Sequence, residues 1–291
     1  MGKGKPWLIY AIIVTVFWGL WGALIEIPEK GGFPATLGYS VWALTMIIPS
    51  LIALRLVKWK LEYDTRSILL GSIIGLTGAG GQLLLFQALR TGPAYLVFPF
   101  ISLSPVVTIL LSSIFLKEKA STRGWIGILL ALIAIPLLSY QSADGSGSTG
   151  FLWVILALLV FLAWGFQAYV MRFANKTMKA ESIFFYMMVT GIMLIPFALW
   201  MTDFSQPINW GISGPWLTAA IQILNAVGAL MLVYAFRYGK AIIVSPMTNA
   251  LAPVLTVIIS LLIYQVIPEI NIVIGIMLAV GSAFLLAIEE E

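Results

Sequence analysis

Two stretches about half the chain apart read almost alike: LSPVVTILLS at 103–112 and LAPVLTVIIS at 251–260. Each sets a proline and a threonine inside a strongly apolar run. The likeness extends well beyond them. FQALRTGPAYLVFPF (86–100) aligns with VYAFRYGKAIIVSPM (233–247) at an offset of 147, pairing Ala88/Ala235, Arg90/Arg237, Gly92/Gly239, Ala94/Ala241, Val97/Val244 and Pro99/Pro246. At an offset of 148, Pro105, Val106, Thr108 and Ser112 meet Pro253, Val254, Thr256 and Ser260, and Gly127 meets Gly275. Trp18-Gly19 meets Trp164-Gly165 at an offset of 146. The matches keep their order, so the chain is a duplication, and its fold must be assembled from two similar halves.

The solvent of that fold follows from composition. Of 291 residues, 61% are hydrophobic and 10% charged, and the mean hydropathy is +1.03. A soluble domain carries about 25% charged residues, so this chain cannot cover a water-facing surface and belongs in a bilayer. Ten apolar segments are long enough to span: approximately 7–25, 35–57, 68–89, 94–116, 122–140, 150–171, 182–201, 215–236, 241–264 and 270–288. The first lacks a small-residue cleavage site and is expected to be retained. The polar loop SADGSGSTG (142–150) divides the chain into 1–141 and 151–291, with five spans in each half. An odd number per half forces opposite orientations in the membrane. The expected fold is an all-α integral membrane protein, ten transmembrane helices arranged as two inverted five-helix repeats that form one transporter domain. Such repeats place a substrate site at mid-depth between them.

Lys and Arg set the expected orientation. With the N-terminus inside, Lys3, Lys5, Arg55, Lys58, Lys60, Arg66, Lys117, Lys119, Arg123, Arg172, Lys176 and Lys179 are assigned to inside segments; Lys30, Arg90, Arg237 and Lys240 are assigned outside. Both termini are then cytoplasmic, in a multi-pass protein of the inner (plasma) membrane. The same bias accounts for the basic pI of about 9.2, so the charge indicates no nucleic-acid partner. The expected partners are a small-molecule substrate and membrane lipids, with the chain as a monomer or a homodimer. No cysteine and no histidine occur. That excludes disulfides, thiolate nucleophiles and histidine bases or ligands, and the expectation is no cofactor, no metal and no enzyme. Asp and Glu lie near span ends, which argues against a carboxylate-based proton antiport. Glu26 is the exception closest to a span interior.

Four groups of residues are candidates for work inside the bilayer. Pro99, Pro105, Pro246 and Pro253 each strand the carbonyl four residues back, on Tyr95, Ile101, Ile242 and Asn249. In lipid those carbonyls need another partner, so the prolines are expected to act as hinges or cavity walls. Trp18 and Trp164 lie nearer mid-depth than the interfacial belts, where an indole can pack on a substrate and donate one hydrogen bond; Trp21 lies one turn from Trp18. Among polar residues within spans, Gln82, Gln167, Asn225, Tyr234 and Asn249 stand out as substrate contacts by size and depth. The small residues of GSIIG (71–75) and GAGG (78–81) give the third span a smooth packing face.

Ten helices, the inverted repeat and the run ALRTGPAYLVFPFISLSPVVTILLSSIFLKEK (88–119) resemble the drug/metabolite transporter superfamily, and within it the ten-helix EamA-type exporters. The resemblance rests on Ala88-Leu89, Gly92-Pro93-Ala94, Pro105-Val106 and Glu118, with Ala235-Phe236, Gly239, Ala241 and Pro253-Val254 in the second half. Lys240 departs from the pattern where the first half has Pro93, and YQVIPE replaces FLKEK. The resemblance implies a secondary carrier that moves a small polar metabolite, an amino acid or similar, by alternating access and in the export direction. A flippase for a lipid-linked or amphipathic substrate is the alternative on the same fold.

Overall fold

A bilayer offers no water to backbone N–H and C=O groups, so each crossing must satisfy them within its own segment. The computed structural model describes residues 5–92, 94–139, 151–264 and 269–288, without the side chains of 94–96, 99, 139, 261 and 264. Ten helical spans run through these residues. The first half contains α1 (Pro6–Leu24) with α2 (Glu26–Lys30), α3 (Ala35–Thr45) with α4 (Ile47–Leu56), α5 (Thr65–Thr91), α6 (Ala94–Ser102) with α7 (Pro105–Phe115), and α8 (Thr122–Ser139). The second contains α9 (Leu152–Ala174), α10 (Ala180–Met193) with α11 (Ile195–Met201), a wide turn (Ile212–Trp216) leading into α12 (Leu217–Tyr238), α13 (Ala241–Tyr264), and α14 (Ile270–Ala287). The central loop 142–150 lies outside the described residues.

Local sequence explains the breaks. Met46-Ile47-Ile48-Pro49 and Met193-Leu194-Ile195-Pro196 occupy equivalent places, and the second and seventh spans break there, between α3 and α4 and between α10 and α11. A proline denies its N–H to the preceding turn and pushes on the carbonyl four residues back. Asp64 caps α5: its carboxylate accepts the Ser67 N–H at 3.1 Å and the Ser67 hydroxyl at 2.5 Å, which holds the carboxyl below its usual range.

The fourth and ninth spans respond differently to their paired prolines. Pro99 and Pro105 are six residues apart, Pro246 and Pro253 seven. Seven residues bring a helix back to about the same face, and α13 runs unbroken through both of its prolines. One residue fewer would rotate everything after it by about 100°, and here the helix stops at Ser102 and restarts at Pro105. The expected hinge is thus a true break in the first half and a continuous helix in the second. The Ile101 carbonyl stranded by Pro105 is taken by the Ser104 N–H at 3.0 Å, so it is not free for a substrate. Pro99 lies within α6, and its side chain is outside the described residues.

Packing follows a two-fold pattern. Helix α1 packs on α12 and α13 of the other half, and α9 packs on α5, α6 and α7, so the halves exchange their first helices. The fifth and tenth spans pair as α8 on α14. A Cβ on Gly127 would meet Leu285 and Leu286, and one on Gly275 would meet Leu137 and Leu138, the same positions shifted by 148. Apolar stripes such as Ile9, Ile12 and Val16 on α1, and Ile155, Leu162 and Phe166 on α9, are left exposed to face lipid.

One assignment of sidedness is corrected. Nη1 of Arg172 donates to the carbonyls of Phe236 and Arg237 at 2.8 and 3.1 Å, and Nη1 of Arg237 donates to the Met178 carbonyl at 3.1 Å. Arg237, and Lys240 three residues on, therefore sit at the Arg172 end of the bundle, not at the Arg90 end. The eighth span returns the chain to that end, and both residues join the majority set of basic groups.

Candidate functional site

The repeated motifs build two equivalent helix crossings. Gly165 on α9 has no side chain where α7 crosses it: an added Cβ would lie 2.4 Å from Val107 Cβ and 2.6 Å from the Ser104 carbonyl oxygen. The Thr108 hydroxyl donates to the Gly165 carbonyl at 3.0 Å. In the other half the Thr256 hydroxyl donates to the Gly19 carbonyl at 3.1 Å, and a Cβ on Gly19 would meet Leu255 Cβ at 2.5 Å. Each crossing joins the two halves, which is why glycine and the proline–threonine segment both occur twice.

The paired tryptophans sit beside these crossings. Nε1 of Trp18 donates to the Asn225 carbonyl at 3.3 Å, with its ring over Gly228. Nε1 of Trp164 donates to the Gly78 carbonyl at 3.2 Å, with its ring over Gly81. Gly78 and Asn225, and Gly81 and Gly228, are equivalent at an offset of 147. Both indoles face away from the lipid stripes of their helices. In this conformation their N–H groups are committed to backbone, so they can offer a substrate ring surface and no donor.

Three large amides lack this closure. A Cβ on Gly78 would fall on Nε2 of Gln167, so the Gln167 side chain lies over Gly78, and Gln82 is one turn further along the same helix. Gln82 is on the far side of α5 from the exposed Leu69 and Leu76. The side-chain amides of Gln82, Gln167 and Asn225 make no hydrogen bond among the described residues, and all three are half-buried. Trp21 differs: Nε1 donates to Gln222 Oε1 at 2.9 Å, and Gln222 Nε2 donates to the Gly38 carbonyl at 3.3 Å. Gln222 was not among the residues singled out by size and depth. Trp21 aligns with Gln167 at an offset of 146, and comparing equivalent positions for missing partners would have found it.

The other candidates do not join this group. Asn249 donates to the Ser245 carbonyl of its own helix at 2.9 Å. The Tyr234 hydroxyl donates to Glu181 at 2.6 Å, and its ring stacks on Tyr10 at 5.1 Å. Glu181 opens α10, so Tyr234 belongs to a helix end rather than mid-depth. Glu26 pairs with Lys30 at 2.6 Å, both side chains more than half exposed, as an end charge. The eight sequence candidates thus divide into two groups, Trp164–Gln167–Gln82 and Trp18–Trp21–Asn225, in which the first two members are equivalent and the third is not, plus Tyr234 and Asn249 elsewhere. Among the described residues no cluster of acidic side chains is arranged to hold a metal.

The EamA-like transporter family matches residues 5–140 and 151–288, once in each half. An uncharacterized protein of Methanocaldococcus jannaschii is 34% identical over 136 residues, covering 46% of this chain and 97% of that protein. An uncharacterized transporter of Archaeoglobus fulgidus is 30% identical over 142 residues, covering 47% of this chain and 49% of the relative. A probable 4-amino-4-deoxy-L-arabinose-phosphoundecaprenol flippase subunit, ArnE, of Hamiltonella defensa is 29% identical over 81 residues, covering 28% of this chain and 73% of the subunit. A solved crystal structure with 17% identity superposes with a TM-score of 0.78 over 97% of this chain and 96% of the other, which shows the shared fold.

Proposed function

Because the chain belongs to the EamA-like transporter family, we propose that it is an alternating-access carrier that exports a small polar metabolite, an amino acid or a similar zwitterion. The observation that carries this reading is the set of unpartnered amides at Gln82, Gln167 and Asn225 on the interior faces of α5, α9 and α12. Burying an amide without a partner costs about 1–3 kcal/mol by protein mutational measures. The amide atoms of these three residues avoid that cost because they are not fully buried, which suits groups that line a water-filled path a substrate can enter. Carboxamides donate and accept at once, which suits a carboxylate and an ammonium on one small molecule. Trp18 and Trp164 supply flat apolar walls beside them. The two crossings hold each first helix against the opposite half, so rocking of one half moves both walls. The substrate gradient or exchange supplies the driving force. The excess of basic residues at the Arg172 end favours a cytoplasmic position for that end and for both termini.

The test compares metabolites released by cells making the intact protein with those released by cells making Trp164→Ala or the double variant Gln82→Leu/Gln167→Leu. A metabolite enriched outside only with the intact protein, and showing counterflow in proteoliposomes, supports the carrier. Equal release by folded variants refutes this assignment of the site. The similarity to ArnE favours a second reading, flipping of a lipid-linked headgroup. Movement of a lipid-anchored compound, with none of its water-soluble analogue, would select it.

A further inference from the structure

The end of the bundle that carries Arg172 is closed by a polar cluster. Glu118, just beyond α7, has a side chain only 7% exposed, and Oε1 accepts Nε of Arg172 at 2.8 Å. Oε2 accepts the backbone N–H of Ile242, in the first turn of α13, at 3.2 Å. Arg172 also donates to the last carbonyls of α12, those of Phe236 and Arg237. One turn away, Nδ2 of Asn175 donates to the Val233 carbonyl at 3.1 Å. The cluster ties α7 and α9 on one side to α12 and α13 on the other.

Equivalent positions at the opposite end are used otherwise. Glu26 stands where Arg172 stands, at an offset of 146, and pairs with Lys30 within its own helical turn. Arg90, the counterpart of Arg237, donates to the Met201 carbonyl at 3.3 Å. The counterpart of Glu118 is position 266, outside the described residues. Half of the two-fold pattern is thus given over to an ion pair that the other half does not repeat in kind. A buried pair is costly unless each partner is fully hydrogen-bonded. Here both carboxylate oxygens of Glu118 and Nε and Nη1 of Arg172 are hydrogen-bonded, and they keep all of these partners only while α9 touches α12 and α7 touches α13. Opening this end separates those helices and breaks the set together.

We propose that Glu118 and Arg172 form the latch that holds this end of the carrier closed, and that access from this side begins when Arg172 leaves the α12 carbonyls. The proposal rests on the alternating-access reading above. The chain has no cysteine, so a single reporter can be placed without removing others. Ser245, 3% exposed and 3.5 Å from Thr108, lies one turn inward from Ile242. In membrane vesicles exposing the Arg172 end, Ser245→Cys should react slowly with a membrane-impermeant methanethiosulfonate. The double variant Glu118→Gln/Arg172→Gln removes the pair without leaving a lone charge and should speed that reaction at least tenfold. A Thr256→Cys reporter, at the equivalent crossing of the other half, should not accelerate. A rate at position 245 within twofold of the parent overturns the latch, as does equal acceleration at both reporters. If the double variant does not fold, Arg172→Lys keeps the charge but loses the fork of carbonyl contacts. It should still accelerate position 245, and an unchanged rate there overturns the proposal. No substrate enters the assay, so its failure and a failure of metabolite counterflow are separate results.

Discussion

Replacing Gly165 with alanine adds one methyl group where α9 crosses α7. The new Cβ would lie 2.4 Å from Val107 Cβ and 2.6 Å from the Ser104 carbonyl oxygen, where ordinary contact is 3.4–4 Å. Neither neighbour is the far end of a flexible side chain, so the helices must separate by about 1 Å, in a packed interior that transmits strain rather than absorbing it. The hydroxyl of Thr108, now 3.0 Å from the Gly165 carbonyl, then moves beyond good hydrogen-bond reach. Overpacking costs about 1–3 kcal/mol, and an interhelical hydrogen bond in a membrane contributes about 0.6 kcal/mol. Alanine returns up to about 1 kcal/mol as the better helix former. Gly281→Ala supplies the reference, since nothing lies within 4 Å of its added Cβ. Subtracting the two variants removes the propensity contribution and leaves about 2–4 kcal/mol of destabilisation for Gly165→Ala. Steric trapping in bicelles, or reversible unfolding in mixed micelles, measures that difference directly. A difference below about 0.5 kcal/mol, the usual scatter of neutral substitutions, would refute the tight crossing.

Gln222→Leu should cost about 1–2 kcal/mol, because the Trp21 indole N–H and the Gly38 carbonyl lose their partner. Adding Trp21→Phe should cost less than the sum of the two single changes in a double-mutant cycle. The Thr256→Val and Thr108→Val variants should each lose about 0.6 kcal/mol and, read by the same unfolding assay, should match one another. Asp64 gives a pH prediction. Its carboxyl is held below the usual range by the Ser67 hydroxyl and N–H, so its contribution is present above the unfolded carboxylate pKa and is lost as pH falls through the lower folded value. Asp64→Asn should flatten the acid limb of stability below about pH 4, near the ordinary Asp value; an unchanged acid limb would remove the cap from that role.

Much of the architecture was legible from the residues because a bilayer imposes a simple rule. Backbone groups must be satisfied within each crossing, so apolar length alone counts the spans, and an odd number per half fixes their inversion. The candidate site is legible only in part. Depth and type mark Trp18, Trp164, Gln82 and Gln167, and these side chains lie on interior faces of their helices. Tyr234 is marked by its type alone: on the bounds 215–236 it stands two residues from the end of its span, and there it lies against Glu181. The polar residues that bind one another, Gln222 with Trp21 and Glu118 with Arg172, are 201 and 54 residues apart, and nothing local pairs them.

The sequence by itself determined that this chain crosses a membrane ten times as two opposed, related halves, because composition and repeat order depend only on what each segment must bury. Tertiary structure alone decided that the first helices are exchanged between halves, that both tryptophan N–H groups are taken by backbone, and that Arg172 reaches the last carbonyls of α12. Those outcomes depend on which helix lies next to which. In lipid that choice is made by close packing over glycine and by a few hydrogen bonds, and these act between residues far apart in the chain.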